Sequence, residues 1–336
     1  MNNRPLPKLD FNVTNRCNFH CRHCCFNSGE RVMAEFSLEK TKSVLEEFVA
    51  LGGKRIDVTG GEPTLRRDYL EIVFYAKKLG LKVELVTNGS LLDLKQLKYL
   101  RAIGLDAIAI SLDGSDYETY NQTRPVSKET YEQVIKNIKL VAGYGIYLKI
   151  NTVVRNSNLD DIAKITKQAI HLGANEHGLY YFTPVGRGES DTSEVVDPLR
   201  WLKLIREELA PQRKQIKLSL ETALLENALH NKAETECYLR NPWHLQILSD
   251  GNVYPCAIMA SCQSPCGNLF EKSLSAIWQD EKLWSGYYYE QNVRPLIKRF
   301  GSCVDFGPAF RNNLDKGYKP VCLMCKYRVE EFDYGN

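Results

Sequence analysis

The sequence LDFNVTNRCNFHCRHCC occupies residues 9–25 and joins a strand-like segment to a loop rich in cysteine. The segment up to Thr14 alternates apolar and polar residues, which is the pattern of a β-strand with one buried face. The loop then places Cys17, Cys21 and Cys24 within eight residues. One tight loop can aim three such thiolates at a common centre, so we predict a metal or cluster site directly after the first strand.

Short apolar segments continue to alternate with amphipathic helices, which is typical of a parallel sheet built from strand–helix units. Ser37 is the expected N-cap of the first helix. Six such units predict an α/β fold with a partial (β/α)6 TIM-like barrel, because a complete eightfold barrel usually takes about 250 residues. The predicted strands are residues 9–14, 55–59, 82–87, 107–112, 147–154 and 176–182.

Composition limits the classes of protein to which the chain can belong. The 336 residues are 43% hydrophobic and 25% charged, which excludes a wholly disordered chain. The net charge of +3 is too small for a nucleic-acid footprint across a whole face, so we do not expect nucleic acid as a partner. No run approaches 18 consecutive apolar residues and no signal-like segment opens the sequence. We therefore expect a cytoplasmic protein that does not enter membranes.

The eleven cysteines fall into two groups, which is informative because disulfides are rare in the cytoplasm. Four lie from Cys17 to Cys25, and seven lie from Cys237 to Cys325, so we predict two separate thiolate sites. The matching domain prediction is a barrel at residues 1–190, a helical bridge at 191–235, and a small α+β, cysteine-rich domain at 236–336. We expect bound metal to organise that last domain.

Three cysteines suit an iron–sulfur cluster better than a structural zinc site, which needs four closed ligands. A cluster held by three cysteines leaves one iron free to bind a substrate or cofactor. The spacing Cys17-x3-Cys21-x2-Cys24 after a first strand resembles the hallmark of the radical S-adenosylmethionine (SAM) superfamily. The resemblance implies a 4Fe-4S cluster ligated by these three residues, with SAM bound at the open iron.

Motifs at the predicted strand ends carry the same resemblance. In the family, a segment like Gly60-Gly61-Glu62-Pro63 binds the methionyl amine of SAM. Thr87 and Ser111 match strand-end positions that contact SAM in related enzymes. Arg124 would clamp the methionine carboxylate through its planar fork, and Asp113 belongs to the same candidate set. A turn threonine, a helix-capping serine and a solvated arginine are the alternatives. We expect these loops to meet at one mouth of the barrel.

The resemblance also implies a reaction. A reduced cluster transfers one electron into the sulfonium of SAM, and the products are methionine and a 5'-deoxyadenosyl radical. The radical abstracts a hydrogen atom from an unactivated C–H bond, while the protein positions that carbon and excludes water and oxygen. A flavodoxin- or ferredoxin-type protein is the expected electron donor.

The second cysteine group resembles the SPASM and Twitch auxiliary-cluster domains that follow the barrel in many radical SAM enzymes. The resemblance begins with Cys237-x13-Gly251-x4-Cys256 and implies at least one auxiliary 4Fe-4S cluster. Four thiolates also suit zinc, so spacing alone leaves that alternative open. The implied ligands are Cys237, Cys256, Cys322 and Cys325.

The full SPASM pattern continues with further cysteines, whereas none follows Cys325. A second auxiliary cluster would have to recruit Cys262, Cys266 and Cys303, which are otherwise buried thiols or include a hydrogen-atom donor to a substrate radical. For Cys25 the alternatives are an inert buried thiol and a hydrogen-atom donor. We expect His20 and His23, between the cysteines, to pack or to contact adenine.

The implied function is modification of a peptide, or of a cofactor or natural-product precursor, by epimerisation, oxidation or cross-linking. A radical dehydrogenase or epimerase acting on a sugar or tetrapyrrole is an alternative. Residues 184–188, PVGRG, look like a segment of enzymes that mature quinone cofactors or tetrapyrroles. A non-catalytic iron–sulfur or zinc protein, used for binding or electron transfer, would explain the cysteines but not the segment Gly60-Gly61-Glu62-Pro63.

Overall fold

The computed structural model describes residues 4–29, 34–220, 243–257, 260 and 265–284. Its strands belong to one sheet. They are β1 (Lys8–Asn12), β2 (Arg55–Thr59), β3 (Lys82–Thr87), β4 (Ala107–Ser111), β5 (Tyr147–Val154), β6 (Glu176–Tyr181), β7 (Lys217–Leu220), β8 (His244–Ile247), β9 (Asn252–Tyr254) and β10 (Gly267–Asn268).

The strand order is β10-β9-β8-β1-β2-β3-β4-β5-β6-β7. Every pairing from β8 through β1 to β7 is parallel, whereas β9 and β10 extend the sheet in antiparallel fashion. The predicted α/β fold with a partial barrel is therefore confirmed, and β1 to β6 match the predicted strands to within two residues at each end. Strand β7 lies inside the segment that we predicted to be a helical bridge. The domain boundaries stay predictions.

Helices follow the strands, and several begin at the caps that their sequences provide. Ser37 accepts a hydrogen bond from the main chain of Lys40, and Asp93 forms a capping box with Gln96. A search of the described helices finds none with the length and apolar character that crossing a bilayer requires. The helices are α1 (Leu38–Ala50), α2 (Tyr69–Lys78), α3 (Leu94–Ala102), α4 (Tyr117–Thr123), α5 (Lys128–Gly143), α6 (Ile162–His171), α7 (Pro198–Leu204), α8 (Leu274–Trp278) and α9 (Glu281–Trp284).

The two faces of the sheet differ in polarity at the amino-terminal ends of β1 and β2. Leu9 is fully buried in the apolar core, whereas its neighbour Lys8 extends to the carboxylates of Asp10 and Asp57, 2.9 Å from each. Arg55 also pairs with Asp57, at 3.0 Å. Burial raises the pKa of Asp10 to about 6. Burial opposes ionisation of Asp57 too, but Arg55 and Lys8 outweigh it and hold the pKa of Asp57 below its usual range.

We expect Asp57→Asn to destabilise the fold by about 3 kcal/mol at pH 7, because it leaves the cations of Lys8 and Arg55 without their shared carboxylate. Asp10→Asn should cost less, because burial raises the pKa of Asp10 and its charged form is therefore less stabilised than that of Asp57. Thermal unfolding of the two variants tests this order. The Asp57 contribution is present above the ordinary aspartate pKa of 3.8, so the deficit should shrink as the pH falls below that value. Equal losses for both variants would contradict the assignment.

Candidate functional site

A cavity of about 260 Å³ lies at the carboxyl ends of β1 to β6, where the predicted motifs meet. Most of the sequence-predicted site residues within the described chain reach its wall. Those that line it are Cys17, Cys21, Cys24, Cys25, Gly60, Gly61, Thr87, Ser111 and Arg124. The structure therefore brings together cysteines and strand-end residues that are up to 107 positions apart in the sequence.

Each of the three spaced cysteines accepts an N–H group at its sulfur. The main-chain amides of Phe19 and Ser28 donate to the Sγ atoms of Cys17 and Cys24, both at 3.4 Å. The guanidinium of Arg124 donates to Sγ of Cys21 at 3.3 Å. Burial raises the pKa of Cys17 and Cys21, and the contacts with Phe19 and Arg124 oppose that rise. Hydrogen bonds of this kind tune clusters bound through sulfur.

The same cysteines do not form a site for one ion. In the described part of the chain, no three His, Cys, Asp or Glu side chains are arranged to hold a single metal. Yet Cys17, Cys21 and Cys24 line one cavity. Three sulfurs around one cavity suit a polynuclear iron–sulfur cluster, in which each cysteine ligates a different iron. The residues present therefore fit the cluster that the sequence predicts.

Arg187 holds the cysteine loop in place. Its guanidinium donates to the carbonyl oxygens of Cys21 and Ser28, both at 2.7 Å, and its main-chain amide donates to that of Cys24 at 3.0 Å. Gly186 precedes it with φ +61°, and a Cβ there would lie 2.5 Å from the carbonyl oxygen of Cys24. Residues 184–188 were predicted only to resemble a segment of cofactor-maturing enzymes, and their contact with the cysteine loop was not predicted. The pair Gly186-Arg187 was the available signal.

The glycine pair of the second motif packs against the entrance of the cysteine loop. Added Cβ atoms at Gly60 and Gly61 would lie 2.3 Å from the carbonyl oxygens of Thr14 and Arg16, respectively. Gly60 also has φ +147°, which side chains rarely adopt. The amide of Gly61 donates to Thr14 at 2.8 Å. Both glycines are therefore needed for contact between two loops, besides any contact with a ligand.

Glu62 is fully buried, and its neighbour Pro63 is also buried. Neither side chain lines the cavity. The Glu62 carboxylate accepts from the Thr87 hydroxyl and the Asn88 amide, both at 2.7 Å, and from the amide and hydroxyl of Thr64 at 3.2 and 2.6 Å. Burial raises the pKa of Glu62, although these hydrogen bonds oppose the rise. The carboxylate thus fixes Thr87 and Asn88, which do line the cavity.

Arg124 is anchored by a buried carboxylate. Its Nε donates to Asp113, whose other oxygen accepts from the main-chain amide of Val153 at 2.7 Å. His23 places Nε2 3.3 Å from the guanidinium of Arg124, and burial lowers the pKa of His23 to about 3. Arginine only donates, so a hydrogen bond between these groups requires an unprotonated Nε2, which also lies 3.7 Å from the Asp113 carboxylate. The buried Nδ1 of His23 has no hydrogen-bond partner among the described residues.

The second cysteine group approaches the same cavity through β9. Cys256 follows β9 and is buried, and Ala257 lines the cavity. Cys266 donates from Sγ to the carbonyl oxygen of Val253 at 3.1 Å, and burial raises its pKa to about 12. Burial also raises the pKa of Cys25, which therefore stays a thiol at neutral pH. The other candidate cysteines lie outside the described residues: Cys237, Cys262, Cys303, Cys322 and Cys325.

Comparison with known families agrees with this geometry. The model of the radical SAM superfamily matches residues 11–169, and the model of SPASM, an iron–sulfur cluster-binding domain, matches residues 237–326. The chain is a radical SAM protein with a SPASM domain. The predicted family and its cofactors, SAM and a 4Fe-4S cluster with auxiliary iron–sulfur chemistry, are thereby confirmed. The ligand assigned to each cysteine stays a prediction.

Individual relatives of this radical SAM protein have different named activities. It is 28% identical to the AdoMet-dependent heme synthase of Methanosarcina barkeri, over 96% of this chain and 91% of that protein. It is 37% identical to a probable GTP 3',8-cyclase of Saccharolobus islandicus, over 55% of this chain and 60% of that protein. Streptococcus suis SuiB bound to precursor peptide SuiA shares the fold, with a TM-score of 0.70 and 20% identity over 85% of this chain and 67% of that one.

Substituting Arg187 by Met should loosen the cysteine loop of the radical SAM protein. Charge-assisted hydrogen bonds to carbonyl groups are strong enough that we expect chelator-driven loss of the reconstituted cluster to accelerate by about tenfold. Bleaching of the cluster absorbance measures that rate. Arg22→Met is the matched control, because Arg22 lies in the same loop with an exposed side chain. Equal rates of cluster loss in Arg187→Met and Arg22→Met would contradict the role of Arg187 in holding the cysteine loop.

Proposed function

We propose that this radical SAM protein cleaves SAM reductively and directs the resulting radical to a C–H bond of a peptide, or of a cofactor or natural-product precursor. One observation carries the proposal. The sulfurs of Cys17, Cys21 and Cys24 share a cavity with residues from the ends of β2, β3 and β4, and each sulfur accepts an N–H group. A purely electron-transferring protein needs the sulfurs but has no use for that ring of strand-end side chains.

Residues around the cavity have separable tasks. Cys17, Cys21 and Cys24 would hold the cluster, which together with SAM supplies a 5'-deoxyadenosyl radical when both are bound. Arg124 presents a guanidinium to the cavity and suits the methionine carboxylate, and Asp113 holds that guanidinium in place. Thr87 and Ser111 add hydroxyl groups to the same wall, and main-chain groups of Gly60 and Gly61 complete it.

Apolar side chains in the cavity wall would keep water away from a radical. Phe19, Val153 and Phe182 line the same cavity as Cys25. Cys25 lines the same cavity but stands outside the three-cysteine spacing, so it is the candidate in this loop for donation of a hydrogen atom. Such a donation turns the substrate radical into product and leaves a thiyl radical, which needs one electron and one proton to return to the thiol. An auxiliary cluster on the Cys256 side would be the source of that electron.

A tetrapyrrole precursor is the second candidate substrate. The observation that favours it is the likeness to a heme synthase over nearly the whole chain. If a peptide is the substrate, product mass separates the possible reactions. Unchanged mass with deuterium taken from solvent indicates epimerisation, and loss of two hydrogens indicates oxidation or cross-linking of a peptide.

SAM cleavage by the anaerobically reconstituted protein tests the proposed function. With dithionite, the wild-type protein should form 5'-deoxyadenosine and methionine in equal amounts, and Cys21→Ala should abolish both. Cys25→Ala is the matched control in the same loop and should retain SAM cleavage. About four irons per chain would indicate one cluster and about eight would indicate two. A preparation that binds only zinc and never cleaves SAM would favour the non-catalytic alternative.

Asp113→Asn tests the anchoring of Arg124. Removing the carboxylate leaves a buried guanidinium unpaired, so we expect a loss of about 3 kcal/mol in stability and weaker SAM binding. Thermal unfolding and equilibrium dialysis of SAM give the two readouts. Asp116→Asn is the control, because its carboxylate only caps α4 by accepting from the Thr119 amide at 2.8 Å. If both variants bound SAM like the wild type, Arg124 would have no role in holding it.

A further inference from the structure

The cysteine loop is hydrogen-bonded to the segment that leads into α3. Asn18 follows Cys17 and donates from Nδ2 to the hydroxyl of Ser90 at 2.9 Å, and Nδ2 of Asn88 donates to Oδ1 of Asn18 at 2.9 Å. Leu91 follows Ser90 directly in the sequence. Asn18, which directly follows the first predicted cluster ligand, is therefore hydrogen-bonded to the segment that leads into α3.

That segment presents an apolar and basic surface. Leu91 and Leu94 are 41% and 45% exposed, although Leu97 on the inner side of α3 is fully buried. Lys95 and Lys98 are exposed on the same helix. Single exposed leucines need no explanation, but two leucines beside two lysines, next to a redox loop, have the composition of a docking site.

We propose that Leu91, Leu94, Lys95 and Lys98, the α3 surface, dock an acidic one-electron carrier protein. The inference rests on the proposed function, because SAM cleavage consumes one electron per turnover at the cysteine loop. One electron passes from the reduced carrier to the oxidised cluster, and no bond is made or broken in that step. The acidic carrier is favoured because lysines attract it over a distance, and redox partners typically dock through small interfaces.

Asp93 lies in the same segment, where its carboxylate accepts from the main-chain amide of Gln96 at 2.7 Å and caps α3. Residues 91–98 contain this one carboxylate and two lysines, so their net charge is +1. The α6 pair Lys164 and Lys167 has the same spacing and exposure, and it provides a control for charge alone.

The experiment compares two reductants for SAM cleavage at low salt. Flavodoxin, reduced by flavodoxin reductase and NADPH, and a reduced ferredoxin are the protein carriers, and dithionite is the small reductant. The double variant Lys95→Glu/Lys98→Glu should lower the carrier-driven rate by about tenfold or more, since charge reversal slows steered association. Its dithionite-driven rate should match the wild type. Leu91→Ser/Leu94→Ser should also slow only the carrier-driven reaction.

Several results would overturn the α3 surface. They are an equal loss with Lys164→Glu/Lys167→Glu, no loss in either α3 variant, and failure of both carriers to reduce the wild-type cluster. A dimer that the α3 variants dissolve in size-exclusion chromatography, with the carrier-driven rate unchanged, would assign the surface to a second copy of the chain. Absence of dithionite-driven SAM cleavage in the wild-type protein would instead contradict the proposed function itself.

Discussion

Main-chain contacts and the guanidinium of Arg187 hold the cysteine loop in position. The loop has no regular secondary structure, so its shape comes from the segments packed against it. Gly60 and Gly61 close on its entrance, and Gly186 and Arg187 close on its middle, from strands on different sides of the mouth. A side chain at any of these glycines would push the loop outward. The site therefore depends on the absence of Cβ atoms as much as on the presence of sulfur.

The sheet gives that loop a stable base. Parallel strands direct their carboxyl ends to one edge, which collects Thr87, Ser111 and the cysteines around a single cavity. Farther from the cavity, Lys8 of β1 and Asp57 of β2 form part of a charged network that links the two paired strands. The chemistry and the stabilising ion pairs are thus separated along the same strands.

Local patterns made the barrel predictable. Strands β1 to β6 follow from alternation and from the turn residues around them, and the cysteine spacing and the strand-end motifs place the cavity. Strand β7 was missed although residues 216–221, IKLSLE, alternate apolar and polar side chains, because the whole of residues 191–235 was interpreted as a helical bridge. The pairing of β8 with β1 was missed because it joins segments 236 positions apart.

Side-chain roles were less predictable than positions. Glu62 lies where the motif places it, but its carboxylate is engaged by Thr64, Thr87 and Asn88, and only coordinates reveal such a buried hydrogen-bond set. The hydrogen bonds by which Arg187 holds the cysteine loop join distant parts of the chain, 166 positions apart for Cys21 and 159 for Ser28. Sequence spacing reports which residues share a strand end, whereas partner choice depends on packing between strands that are distant in the chain.

The parallel pairing of β8 with β1 has a consequence for biosynthesis. Strand β1 is synthesised long before β8, its partner at one edge, which begins at His244. Until then one edge of β1 exposes main-chain groups that can recruit other strands, including those of neighbouring nascent chains. Gln246 then donates to Asn12 at 2.9 Å, and the indole of Trp278 donates to the carbonyl oxygen of Arg4 at 2.9 Å. The sheet is thus complete only after the segment that contains β8 has been synthesised, so folding of the barrel depends on translation of that segment.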